Sequence, residues 1–318
     1  MEYQNKDLEN IFKALEETKT VLGENHPDTA DSYNNIGVVY DKLGDYDKAL
    51  EYYFKALEIK KAVLGEKHPD TAMSYNNIGV VYSNLGDWGK ALEYYNKALE
   101  IRKAVLGENH PDTAMSYNNI GLVYSNLGYW GKALEYYNKA LEIYKAVLGK
   151  NHPDTAMSYN NIGLVYSNLG DWGKALEYYF KAWEIFEDVL GEKHPHTAIS
   201  YNNIGVVYNN LKDYDKALEY YFKALEIRKA VLGEKHRDTA GSYNNIGIVY
   251  GNSGNHTKAL EYFIKALEIR KAILGEQHPY TQQTLRNIAI AKQKSEESQG
   301  KREEPKKKKG FWAKLFGE

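Results

Sequence analysis

The chain has no cysteine in 318 residues, which removes disulfide scaffolds, thiol nucleophiles and cysteine-based zinc sites together. It also lacks any stretch near the ~18 uninterrupted apolar residues needed to cross a bilayer. The opening MEYQNKDLEN has neither a basic start nor an apolar run, so no secretory signal is expected. An excess of one charge is missing too. Lys+Arg number 41 against 43 Asp+Glu, for a net charge of -2, which argues against a general nucleic-acid binder. Neither a Gly-x-Ser-x-Gly elbow nor a Gly-x-x-x-x-Gly-Lys phosphate loop occurs. The expectation is a cytoplasmic protein that is not an enzyme and carries no cofactor.

What is present is repetition. His26, His68, His110, His152, His194, His236 and His278 fall 42 residues apart without a slip. Six precede a proline; His236 precedes Arg237. In step with them, Tyr-Asn-Asn-Ile-Gly recurs at 33–37, 75–79, 117–121, 159–163, 201–205 and 243–247. The same copying explains 29 tyrosines beside only 8 phenylalanines. A period of this length marks a stacked array rather than separate domains.

Each unit reads as two helices. Tyr33, Ile36, Gly37 and Tyr40 share one face of a helix A spanning roughly 28–42. Gly44 suits the left-handed residue that ends a helix, and Asp45 can cap the next. Helix B then spans roughly 46–64, with Ala49, Tyr53, Ala56 and Leu57 at helical spacing. Glycine inside a helix costs about 1 kcal/mol relative to alanine. Its recurrence at Gly37 and equivalents predicts a close helix contact where a side chain would collide. Neither helix can bury its apolar face alone, so neighbours must stack. The expected fold is an all-α solenoid of antiparallel helix pairs.

These positions resemble the tetratricopeptide repeat (TPR), whose pattern Tyr33, Ile36, Gly37, Tyr40, Ala49, Tyr53 and Ala56 follow. Ala-Leu-Glu-Ile near the end of helix B and Val-Leu-Gly-x-x-His-Pro-Asp-Thr in the connection are similar to kinesin light chain repeats. The resemblance implies a right-handed superhelix over residues 1–292. That array comprises a half-repeat at 5–22, six full repeats over about 28–279, and a terminal helix A at 280–292. Half-repeats at both ends suit capping helices, and they also permit head-to-tail self-association as a structural alternative.

Chemistry is sought first in the histidines. One per repeat, they cannot converge within about 2 Å of an ion, so no metal site is expected and they are read as packing or capping the connections. A second stripe runs along helix A: Met73, Asn77, Val80 and Asn84 lie on one line. Met115, Asn119, Leu122 and Asn126 repeat it, as do Met157, Asn161, Leu164 and Asn168. Asn35, Asn203 and Asn245 continue the asparagine column. The resemblance places this stripe on the inner, concave wall, where family members contact bound peptides through the matching asparagines. An amide offers a donor pair and an acceptor to a peptide backbone, and methionine supplies adaptable apolar contacts. The opposing reading is that the asparagines bridge adjacent helices A and serve the stack. Arg and Lys are nearly absent from the stripe, so a neutral or mixed ligand is expected rather than a strongly acidic one.

After Gln293 the composition turns polar, and residues 293–318 are expected to form a flexible tail. Lys306, Lys307, Lys308 and Lys309 precede an apolar cluster of Phe311, Trp312, Leu315 and Phe316. Weak membrane-surface contact, which would tether a regulatory subunit, competes there with docking on a protein and with no specific role. The expected function is an adaptor or scaffold that binds extended protein segments.

Overall fold

The computed structural model describes residues 2–303, with side chains described for 9–297. It divides into two compact units, Met1–Ile185 and Phe186–Glu318. The first holds α1 (Glu2–Leu22), α2 (Pro27–Leu43), α3 (Tyr46–Leu64), α4 (Pro69–Asn84), α5 (Trp88–Leu106), α6 (Pro111–Asn126), α7 (Trp130–Val147) and α8 (Pro153–Asn168). The division falls inside α9 (Trp172–Leu190). The second unit continues with α10 (Pro195–Asn210), α11 (Tyr214–Leu232), α12 (Arg237–Asn252), α13 (His256–Leu274) and α14 (Pro279–Glu303). No strand occurs among the described residues.

Helix starts are written locally. His26, His68, His110, His152 and His194 sit in extended backbone, as proline at the next position favours, and His236 does so ahead of Arg237. Each Nδ1 accepts the N–H two residues on, at 3.2 Å from Asp70 to His68 and 3.1 Å from Asp112 to His110. The histidines therefore cap helix A, satisfying a donor the helix leaves open. Aspartate caps four of the helices B, as where Asp87 accepts from the Lys90 N–H at 3.1 Å, whereas Asn255 caps α13 and Tyr129 leaves α7 without a side-chain cap bond. At the A–B turn Gly44 takes φ 77°, and its N–H closes on the Asp41 carbonyl. At the corresponding turn in the second unit, Lys212 adopts φ 62°, a conformation that side chains disfavour.

The mid-helix glycines make the close contact the sequence predicts. A Cβ on Gly79 would lie 2.7 Å from the Tyr95 ring, and one on Gly121 would lie 2.8 Å from that of Tyr137. Phe263 takes the tyrosine's place against Gly247. Around these contacts the core runs from pair to pair. Tyr95 and Leu99 of α5, Ile120 and Val123 of α6, and Ile143 and Tyr144 of α7 form one buried cluster. Tyr221, Ile246 and Ile269 belong to the equivalent cluster of the second unit.

The extra residues in each B-to-A connection are pinned rather than loose. Thr71 donates to the Gly65 carbonyl at 2.9 Å, and the Tyr117 hydroxyl bonds Glu108. At the C-terminal end the helix differs from expectation, running to Glu303 rather than stopping at Lys292. The segment has no proline and keeps good helix formers. Ala291 and Ser295, one turn apart, are both buried. The lysine and aromatic cluster at 306–316 lies outside the described residues.

Candidate functional site

The asparagines of helix A form a ladder between neighbouring repeats. The Nδ2 of Asn77 donates to Asn34 Oδ1 at 2.8 Å, that of Asn119 to Asn76 at 2.9 Å, and that of Asn161 to Asn118 at 2.8 Å. In the second unit Asn245 donates to Asn202 at 3.0 Å. Adjacent asparagines thus divide the work, one column donating and the other accepting. Bridging is therefore a real duty of the ladder. Asn77, Asn119 and Asn161 each spend one N–H on it and keep a second N–H and the carbonyl oxygen.

A second rung depends on what faces it. Asn84 reaches Asp41 at 3.0 Å, and Asn252 reaches Asn209 at 3.1 Å. Opposite Asn126 and Asn168 the same register carries Ser83 and Ser125, and neither bond forms. A serine hydroxyl is one atom shorter in reach than the oxygen of asparagine or aspartate. The amides of Asn126 and Asn168 are exposed.

Beside this ladder the apolar stripe stays open. Met73, Leu122 and Leu164 are exposed by 37%, 38% and 39%. Val80, Met115 and Met157 are half-buried. Asn35 is exposed and Asn203 half-buried.

Basic side chains reach this neighbourhood from helix B, which the sequence stripe does not reveal. Lys60 of α3 is buried to 1% exposure, and its Nζ lies 2.8 Å from Asp31 of α2. The contact is an ion pair and not a well-aligned hydrogen bond. Arg102 donates to Ser116 Oγ at 2.8 Å and to the Asp112 carbonyl at 3.1 Å. Arg228 repeats this on Ser242, at 2.7 Å. Arg270 reaches Thr284 at 2.6 Å and the Tyr280 carbonyl at 3.0 Å. Burial lowers the pKa of all three arginines below the ordinary value. They remain guanidinium ions. A sequence signal for them does exist: the position reads Lys60, Arg102, Tyr144, Phe186, Arg228, Arg270. A site that takes arginine or an aromatic ring in turn must be largely buried with a polar end nearby.

In the second unit a pocket of about 340 Å³ joins these elements, lined by Asn202 and Asn245 together with Arg228, Arg237 and Arg270. The absence of cations along the stripe itself therefore does not make this face neutral. Among the described residues no group of three or more His, Asp or Glu is placed to hold a metal ion. No described helix is long and apolar enough to cross a membrane.

The tetratricopeptide repeat profile matches residues 4–62, 42–104, 70–146, 112–188, 154–230, 196–251 and 238–299, and the chain belongs to that family. Solved structures of the same fold include BtubC (BKLC) from P. vanneervenii. It is 26% identical, with a TM-score of 0.58 over 74% of this chain and 92% of that one. A putative kinesin light chain with nearly identical TPR-like repeats from Podosopora anserina is 20% identical, with a TM-score of 0.54 over 65% and 98%. RapI in its apo form is 20% identical, with a TM-score of 0.57 over 84% and 99%. No curated protein matches the sequence. Tetratricopeptide repeats in general are non-catalytic scaffolds for protein–protein interaction.

Proposed function

We propose that the chain is a non-catalytic adaptor that holds an extended peptide segment against the helix-A face. The observation that carries this reading is the pairing, on one face, of half-used amides with open apolar side chains. Asn77, Asn119 and Asn161 supply the donors and acceptors, and Met73, Leu122 and Leu164 supply apolar contact. A peptide backbone needs both: partners for its N–H and C=O, and shelter for alternate side chains. Asn126 and Asn168, whose amides bond no neighbour, add two unencumbered positions along the same line.

The test uses side chains whose removal spares the ladder. Serine replaces Met73, Leu122 and Leu164 in one variant, and Val63, Val105 and Val147 in another. The valines are a comparably exposed series near the ends of helices B. Captured partners should be lost from the first variant and kept by the second, at equal helicity. Loss from the valine variant alone would move the working surface away from helix A.

A further inference from the structure

Independently of the peptide-binding reading, we propose that a pocket at the last helix pair receives the chain's own C-terminal aromatics, with Trp312 as the ring that fills it. The pocket holds about 310 Å³. It is lined by Ile248 and Gly251 of α12, His256 and Phe263 of α13, and Ile290 and Lys294 of α14. Ile290, at its rim, is 54% exposed.

Two substitutions made together open this place. In earlier repeats the phenol of helix B lies against a serine of helix A, as Tyr95 against Ser83 and Tyr179 against Ser167. The last pair carries Phe263 and Gly251 at those positions, so both hydroxyls are gone and the lining turns apolar. A Cβ on Gly251 would come no closer than 3.8 Å to Ala259, so packing does not require the glycine. Rings are missing as well. Trp130 shares a cluster with Tyr124 and Tyr166, and the equivalents at the last pair are His256, Tyr250 and Lys292. The Nδ1 of His256 is shielded from solvent and has no hydrogen-bond partner. An indole N–H is a donor of the kind it lacks.

The chain supplies an occupant within reach. The described part of α14 ends at Glu303, two residues before Pro305, a residue that a helix interior does not tolerate. From Glu303 back to Ile290 is about 20 Å along the helix axis. The eight residues from Glu303 to Phe311 can span about 26 Å when extended, so Phe311 and Trp312 reach the pocket with the reversal included. Charge favours the path. Ile290, Lys294 and Glu297 follow one face of α14, and Glu296 and Glu297 are exposed. Lys306–Lys309 therefore return past two carboxylates before the aromatics meet Ile290, Ile248 and Phe263. Lys294, which lines the pocket, suits the face of an indole.

The experiment labels the full chain with 5-fluorotryptophan, and W312F assigns the fluorine resonance of Trp312. That resonance should be displaced from its position in a free peptide of residues 306–318, and dilution should not change it. G251L fills the pocket while raising helix propensity, and I290D places a charge at its rim. Each should move the ratio of docked to free tail about tenfold toward free, at an undiminished thermal midpoint. I264D, at a comparably exposed position of α13, should leave the ratio unchanged. A Trp312 resonance at the free position in the intact chain overturns the proposal. So does a displacement that persists in both G251L and I290D. Displacement lost on dilution assigns the pocket to the tail of a second copy. Displacement that arises only with phosphatidylserine vesicles assigns the tail to a membrane surface. Either result overturns docking within the chain.

Discussion

Lys60 in the first unit and Arg270 in the second occupy the same step of the repeat, yet one carries its counter-charge and the other does not. Beside Lys60 stands Asp31; beside Arg270 stands Gly241. Two further substitutions widen the contrast. Tyr144 replaces a cation in the first unit and lies in its apolar cluster, whereas Arg228 fills the equivalent place in the second. The position before Asp238 is Arg237, where the first unit has proline. Near-identical repeats thus end up with different surface chemistry, self-neutralised at one place and cationic at the other. Duplication has conserved the contacts that stack the helices, and the columns free of that duty have diverged.

The widest separation between helices is expected in alkali. Burial raises the pKa of Tyr53, Tyr95, Tyr137, Tyr144 and Tyr179 in the first unit, and of Tyr221 in the second. Phe263 takes the ring position of the last repeat. A phenol whose pKa is raised by folding contributes stability that is complete below about pH 10 and is lost as pH climbs toward the folded value. One pH unit above 10, each buried phenol should cost about 1.4 kcal/mol. Hydrogen exchange should therefore show α3, α5, α7 and α11 losing protection at lower pH than α13, whose ring at this position is Phe263. Simultaneous loss would remove the distinction.

A smaller effect is expected from D31N, which strips the buried Lys60 ammonium of its partner. Loss of about 2 kcal/mol in urea unfolding is expected, reduced from the fully buried case because Asp31 faces solvent. K60M in the same background should restore most of it. Failure of that rescue would show that Asp31 acts through something other than the cation.

The smallest effect is expected at Gly241, and its sign is opposite. G241A meets open space and should stabilise α12 by about 0.5–1 kcal/mol, the helix propensity of alanine over glycine. The same change at Gly247, six residues along α12, drives a Cβ to 2.7 Å from the Phe263 ring and should destabilise. Thermal unfolding of the two variants separates a glycine kept for packing from one that opens a pocket.

Much of the fold was legible in the residues. The 42-residue spacing of His26 and its copies marks the repeat, and His-Pro marks each helix start, because caps are local hydrogen bonds. The glycine of Tyr-Asn-Asn-Ile-Gly announces its contact with Tyr95 or Tyr137, since only close approach justifies glycine there. The end of α14 was less legible. A polar run of Lys, Gln, Ser and Glu reads as linker by composition, yet Ser295 lies buried one turn beyond Ala291. Helical continuation there depends on what the helix rests against.

For the candidate site the division is sharper. The amino-acid sequence alone determined which residues share the helix-A stripe, because a helix repeats its own faces every few residues. It could not decide that Asn77 bonds Asn34 while Asn126 bonds nothing, since partners 43 residues apart meet only after stacking. Nor could it place Arg228 and Arg270 beside that stripe. Helical periodicity tells where a side chain points on its own helix. Which neighbouring helix lends it long, charged companions is settled by packing alone, and there a glycine at 241 becomes an opening beside a cation.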